Sequence, residues 1–106
     1  MIQKVYIEKW MRDELKLSGN KLLAFALLYT NPGENITSTE IGDWFGWSKR
    51  NALHELDALQ EMGYVRKETV EKWDKWQSRM VPFSYYHPVY IGDIRKKLAK
   101  GGKKDG

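Results

Sequence analysis

The chain has no cysteine among its 106 residues. Thiol nucleophiles, cysteine-based zinc sites and a disulfide scaffold are thereby excluded. Long apolar runs are missing as well. The longest, Leu22 to Tyr29, falls far short of the ~20 residues that span a bilayer. The N-terminal MIQKVYIEKWMRDEL carries charges through its middle, which a secretory signal does not tolerate. A cytoplasmic protein with no membrane partner is expected. Catalytic groups are scarce. His54 and His87 stand 33 positions apart, neither with a carboxylate at metal-ligand spacing. Ser18, Ser38 and Ser48 read as cap or turn residues, and no nucleophile elbow or glycine-rich phosphate loop is present. The expectation is a non-enzyme without cofactor, metal or evident small-molecule substrate. There is no internal repeat.

What is present is charge, unevenly spread. The net +4 divides into +2 over residues 1–30, −4 over residues 31–62 and +6 over residues 63–106. A positive C-terminal third suits an anionic partner. Between the two basic parts lies Ile36 to Val65, ITSTEIGDWFGWSKRNALHELDALQEMGYV. Thr37 followed by Glu40 is a capping box, and Ile36 with Ile41 supplies the hydrophobic staple around it. The helix that starts there ends at Phe45 and Gly46. Ser48 caps a second helix in which Ala52, Leu56 and Leu59 recur at core spacing, and Gly63 occupies the position where positive φ is needed. Two capped helices across a glycine turn, followed by a strand, form a helix-turn-helix with a wing.

The flanking segments complete one domain. Tyr6 to Leu15 reads as a short amphipathic helix with Tyr6, Trp10 and Met11 on one side. Ser18 stands as N-cap of a helix over about 20–30 that is apolar on nearly every side, so the N-terminal helix or a second subunit must cover what the core leaves open. That apolar helix motivates a homodimer. Asn31-Pro32-Gly33 ends it. Ile36 reads as a minimal strand. Tyr64 to Val70 and Met80 to Tyr86 read as a hairpin, with Val81, Phe83 and Tyr85 on its apolar face and the nine polar residues EKWDKWQSR as its tip. Pro82 cannot donate to a ladder, which demands an unpaired edge or a bulge there. Ile91 to Ala99 suggests a last short helix. The expected organisation is a winged helix-turn-helix domain over residues 1–94, mainly α with a small β-hairpin, and a basic flexible tail over residues 95–106.

The second helix of the motif is placed to enter a major groove of double-stranded DNA. Its outward residues are Lys49, Arg50, Asn51 and His54, with Ser48 able to cap the helix and touch a phosphate. Arg matches guanine and Asn adenine in bidentate fashion. Glu55, Asp57 and Glu61, further along, would repel phosphate, and Leu53 is apolar on the flank of the exposed face. The wing adds Trp73 and Trp76 among Lys72, Lys75 and Arg79. The cations suit phosphates. The indoles suit a minor groove, unpaired bases or a protein partner, or else fold back onto the domain.

The phrase SKRNALHELDALQEMGYV looks like the recognition helix of a bacterial winged-helix domain running into its wing. The front half, IEKWMRDELKLSGNKLLAFALLYT, resembles the opening of DnaD-like N-terminal domains and of phage or plasmid replication-initiation proteins, in which a helix, Leu-x-Gly-Asn and an apolar helix precede the winged motif. LSGN supplies that element here, and the resemblance covers about residues 5 to 90. It implies duplex DNA binding in replication initiation or transcription regulation, with the family's basic or hydroxyl positions falling on Lys49, Arg50, Asn51 and His54. The chain departs from the pattern in its long tryptophan-bearing wing and in having no second domain, which argues against an autonomous initiator. The rival class is a protein-interaction winged helix that assembles through the apolar helix, Leu53 and the wing indoles.

Overall fold

The computed structural model describes residues 2–104, of which residues 101–104 are described by backbone alone. Five helices and one hairpin follow in the order α1 (Lys9–Asp13), α2 (Gly19–Thr30), α3 (Ser38–Phe45), α4 (Lys49–Glu61), β1 (Val65–Asp74), β2 (Arg79–Pro88) and α5 (Ile91–Lys104). The architecture is mainly α with a two-stranded antiparallel wing, a winged helix-turn-helix.

The local signals of the motif act as their chemistry requires. Thr37 Oγ1 accepts the Glu40 amide at 3.2 Å while Glu40 Oε1 accepts the Thr37 amide at 3.2 Å. Ile36 and Ile41 both enter the buried cluster. Gly46 closes α3 in the left-handed region at φ 76°, and Ser48 Oγ accepts the Asn51 amide at 3.1 Å to open α4. Gly63, at φ 80°, ends α4, after which the Tyr64 amide reaches back to the Leu59 carbonyl at 3.0 Å. Ala52, Leu56 and Leu59 line the core as their spacing demands.

The front of the chain departs from expectation. Only Lys9–Asp13 is helical, and the segment before it has no regular secondary structure. Its backbone is held by side chains at the end of α2: the Gln3 amide donates to Asn31 Oδ1, Asn31 Nδ2 donates to the Lys4 carbonyl, and the Tyr6 amide donates to Thr30 Oγ1. Tyr6 is therefore exposed rather than on an apolar helix face. Ser18 occupies the N-cap of α2, but its hydroxyl makes no capping bond.

The apolar helix is covered within one chain. Leu22, Ala24, Phe25, Ala26, Leu27 and Leu28 are all buried, in one cluster with Ile2, Met11, Leu15 and Leu17 from the N-terminal segment and Leu56, Leu59, Tyr86 and Ile94 from beyond the motif. The homodimer thus loses the observation that motivated it. Trp10, Phe25 and Tyr29 form an edge-and-stack aromatic group beside this cluster, and the Tyr29 hydroxyl accepts the Ile91 amide at 3.1 Å, fixing the start of α5.

The wing is longer than the alternation suggests. Most of EKWDKWQSR is strand, and the pairing runs without interruption from Val65↔Pro88 to Asp74↔Arg79. Pro82 needs no bulge. The Tyr86 amide points away from β1 to the Ile36 carbonyl at 2.8 Å, so residues of the same parity, Pro82 among them, present their nitrogens to the outer edge. Ile36 forms the expected minimal strand by an isolated bridge to Tyr86. Tyr86 is the wing residue most deeply buried, although its parity is opposite to that of Val81, Phe83 and Tyr85. Both faces are used: Val65 and Tyr86 join the domain core, while Val81 and Tyr85 are buried on the other. Helix α5 continues to Lys104, across the expected start of the tail. Arg95 Nε and Nη2 bond the Glu14 carboxylate at 2.8 and 2.7 Å, tying the helix to the N-terminal segment. Residues 105 and 106 lie outside the described residues.

Candidate nucleic-acid interface

The start of α4 is the most chemically distinctive surface. Lys49, Arg50, Asn51 and His54 are all exposed, and the first turn contains no acidic residue. The helix N-terminus adds its own positive partial charge to the two cations. Ser48 is exposed too, its oxygen committed to the cap and its proton left to donate. Of the acidic residues on the same helix, Glu55 does not belong to this face. Its side chain is only 13% exposed, and Oε1 lies 3.3 Å from Lys21 Nζ of α2 without a well-aligned hydrogen bond. Asp57 and Glu61 are exposed, in the later turns. Leu53 is half-buried and packs against the core.

The turn that sets the angle between α3 and α4 is tight. The Trp47 amide bonds the Gly42 carbonyl at 2.7 Å, and a Cβ at Gly42 would lie 2.8 Å from the Trp47 carbonyl oxygen. Phe45 and Trp47 stack across this turn at 4.6 Å.

The wing distributes its cations unequally. Lys72 is folded onto its own strand pair, donating to the Tyr85 hydroxyl and lying over the Phe83 and Tyr85 rings at 5.7 and 4.9 Å. Lys75 and Arg79 are at the tip, where Arg79 Nε donates to Gln77 Oε1 at 2.9 Å. The tip is built, not loose. Asp74 Oδ1 accepts the amides of Trp76 and Gln77, and Asp74 Oδ2 accepts from Gln77 Nε2. Neither indole folds back: Trp73 is 61% and Trp76 96% exposed. His87 has a carboxylate partner that its sequence neighbourhood conceals, Glu68 Oε1 at 3.1 Å across the hairpin.

Between these parts runs a groove of about 540 Å³, bounded by Thr37, Ser38 and Thr39 at the start of α3, by Lys49 and Leu53 of α4, and by the base of the wing. Sequence reasoning missed Ser38, Thr39, Lys67 and Ser84 as parts of one surface. Lys67 sits directly opposite Tyr86, so recognising Tyr86 as the buried anchor would have placed Lys67 on the inner face of the wing.

No protein-family model matches the chain, and no curated protein matches its sequence. In three dimensions it is similar to a possible transcriptional regulator from Methanosarcina mazei Go1, with TM-score 0.65 and 11% identity over 90% of this chain and 78% of that one. It is also similar to a MarR protein from Peptoclostridium difficile DA00132, with TM-score 0.51 and 18% identity over 88% of this chain. The chain spans about half, 56%, of that second protein's length. At such identities the likeness is one of fold, and the fold shared is the winged helix.

Proposed function

We propose that the chain binds double-stranded DNA as a winged-helix regulator. The observation that carries this reading is the acid-free first turn of α4, with Lys49, Arg50 and Asn51 exposed together. In this mechanism α4 enters a major groove, Arg50 or Asn51 contacts a base edge, and Lys49, Ser48 and His54 meet phosphates or flanking bases. The wing reaches along the duplex, with Lys75 and Arg79 on the backbone and Trp73 and Trp76 available to a minor groove or to unpaired bases. Lys72 contributes only if it leaves Tyr85. No helix among the described residues is long and apolar enough to cross a membrane, and a cytoplasmic setting is part of the proposal.

Transcription regulation is favoured over replication initiation because a solved structure of similar shape is described as a possible transcriptional regulator. The replication setting rests on the LSGN resemblance alone. A homodimer belongs to the same proposal, but its interface is sought outside α2, where Tyr90 and Leu98 are exposed. The interaction-module alternative keeps the wing indoles and the half-buried Leu53 as its support and loses α2, which faces inward.

Charge reversal tests the reading. Lys49→Glu with Arg50→Glu should abolish duplex binding in an anisotropy titration while the far-UV spectrum and melting temperature stay near wild type, because both side chains are exposed. Undiminished binding by the double variant would remove α4 from the interface.

A further inference from the structure

The groove beside α4 is not accounted for by base readout. Four features of it point to one kind of ligand. Ser38 is only 7% exposed, lines the groove, and its hydroxyl has no hydrogen-bond partner among the described residues. The capping box occupies the amides of Thr37 and Glu40, whereas those of Ser38 and Thr39, at the first two positions of α3, precede any intrahelical acceptor. Lys49 and Lys67 stand on opposite walls, and neither joins an ion pair among the described residues, in contrast to Lys21 and Arg95. No acidic side chain lines the groove. Glu40 lines a separate hollow with Asp43 and Trp44, and Glu68 is on the outer face of the wing with His87.

Donors from a helix N-terminus, an unpartnered hydroxyl that a nearly buried residue opens to the groove and two unpaired ammonium groups make an oxyanion site. Leu53, Pro82 and Phe83 line the same groove, which a free phosphate would leave bare and a deoxyribose would cover. We infer that this groove seats one sugar–phosphate strand of duplex DNA, with a phosphate held between Lys49 and Lys67 and against Ser38 and Thr39, and the adjoining sugar on Leu53 and Pro82. The strand fixes the register in which α4 meets the bases. This inference rests on the DNA-binding reading and extends it to residues at the base of the wing.

The full chain with Lys67→Gln, with Ser38→Ala, and with Lys9→Gln as a distant control is titrated against labelled duplexes of several sequences at a series of salt concentrations. Lys67→Gln should weaken binding by the same factor on every sequence and reduce the magnitude of the log–log salt slope by about 1. Ser38→Ala should weaken binding roughly tenfold with the slope unchanged, as expected for loss of one donor to a charged group. Lys9→Gln should change neither. In the wild type, duplex should move the amide resonances of Ser38 and Thr39, a readout that needs no variant to fold. If the wild type binds duplex with normal salt dependence while both groove variants match it, the groove assignment is overturned and the DNA reading survives. If the wild type binds no duplex, both fall. Movement of the same amides by inorganic phosphate alone, with duplex affinity indifferent to Lys67 and Ser38, would make this a free-anion site and overturn the strand assignment.

Discussion

Gly42 illustrates how much of the site depends on a single missing atom. The αL glycine at the turn, Gly46, was legible from sequence because glycine there is required by backbone angle. Gly42 is inside α3, where nothing local demands glycine. Its requirement comes from the Trp47 carbonyl, which would lie 2.8 Å from an added Cβ. Gly42→Ala should therefore cost roughly 1–3 kcal/mol, the usual range for overpacking a site that backbone cannot vacate. It should also tilt α4 against α3. A lowered denaturant midpoint with an unchanged slope would report the first effect, and a variant as stable as wild type would show that the turn can yield. Glu14 is a residue of the opposite kind, exposed and remote in sequence from its partner. The Arg95 guanidinium beside it holds its carboxyl below the usual carboxylate range, first by hydrogen bonding and then by charge. A depressed folded-state value stabilises the protein above the ordinary carboxylate range, and that contribution fades as pH falls through the lowered value. Melting temperatures of wild type and Glu14→Gln should accordingly differ at neutral pH and converge in acid. A gap that persists in acid would contradict the linkage.

At the scale of elements, the two helices of the motif were readable because their ends are encoded locally, in Thr37 with Glu40, in Ser48 and in Gly63. The irregular N-terminal segment was not. Its residues have an amphipathic pattern, but Asn31 and Thr30, more than twenty positions away, bond its backbone outside any helix. Tertiary partners outweigh a weak helical period. The length of the wing was hidden for a related reason. A polar stretch such as EKWDKWQSR has no alternation to betray a strand, and its pairing is specified by the partner strand and by the Asp74 turn. That turn has a functional consequence, since it presents Trp76 on an ordered scaffold. With both indoles exposed, Trp73→Ala with Trp76→Ala should leave the melting temperature unaltered. If the indoles meet bases, duplex or single strand should quench their fluorescence, and the double variant should lose about 1–3 kcal/mol of binding per stacked ring. Equal affinity for wild type and double variant would leave the wing tip to its cations.

For the whole molecule, the charge asymmetry visible in the sequence acquires direction. The acidic middle third is divided: Glu40 caps α3, Glu55 pairs with Lys21, and Asp57 and Glu61 occupy the later turns of α4. Many cations join no ion pair among the described residues, Lys9, Arg12 and Lys96 included; those that face the proposed interface are Lys49, Arg50, Lys67 and Lys75, on α4 and the wing. Neutralising these and Arg79, at about 0.9 per phosphate, gives an expected log–log salt slope of roughly −3 to −5 for one subunit. This number also addresses assembly, because α2 no longer requires a partner subunit for its burial. A homodimer holding two half-sites would roughly double the slope and restrict tight binding to sites with two-fold symmetry about one helical turn apart. Sedimentation of the free protein and of its duplex complex, paired with the salt series, decides between the two. A monomer in both with a slope near −4 fits a single docked wing and helix. A dimer with a slope near −8 fits a symmetric regulator. A slope near zero is incompatible with every arrangement in which α4 and the wing face the phosphate backbone.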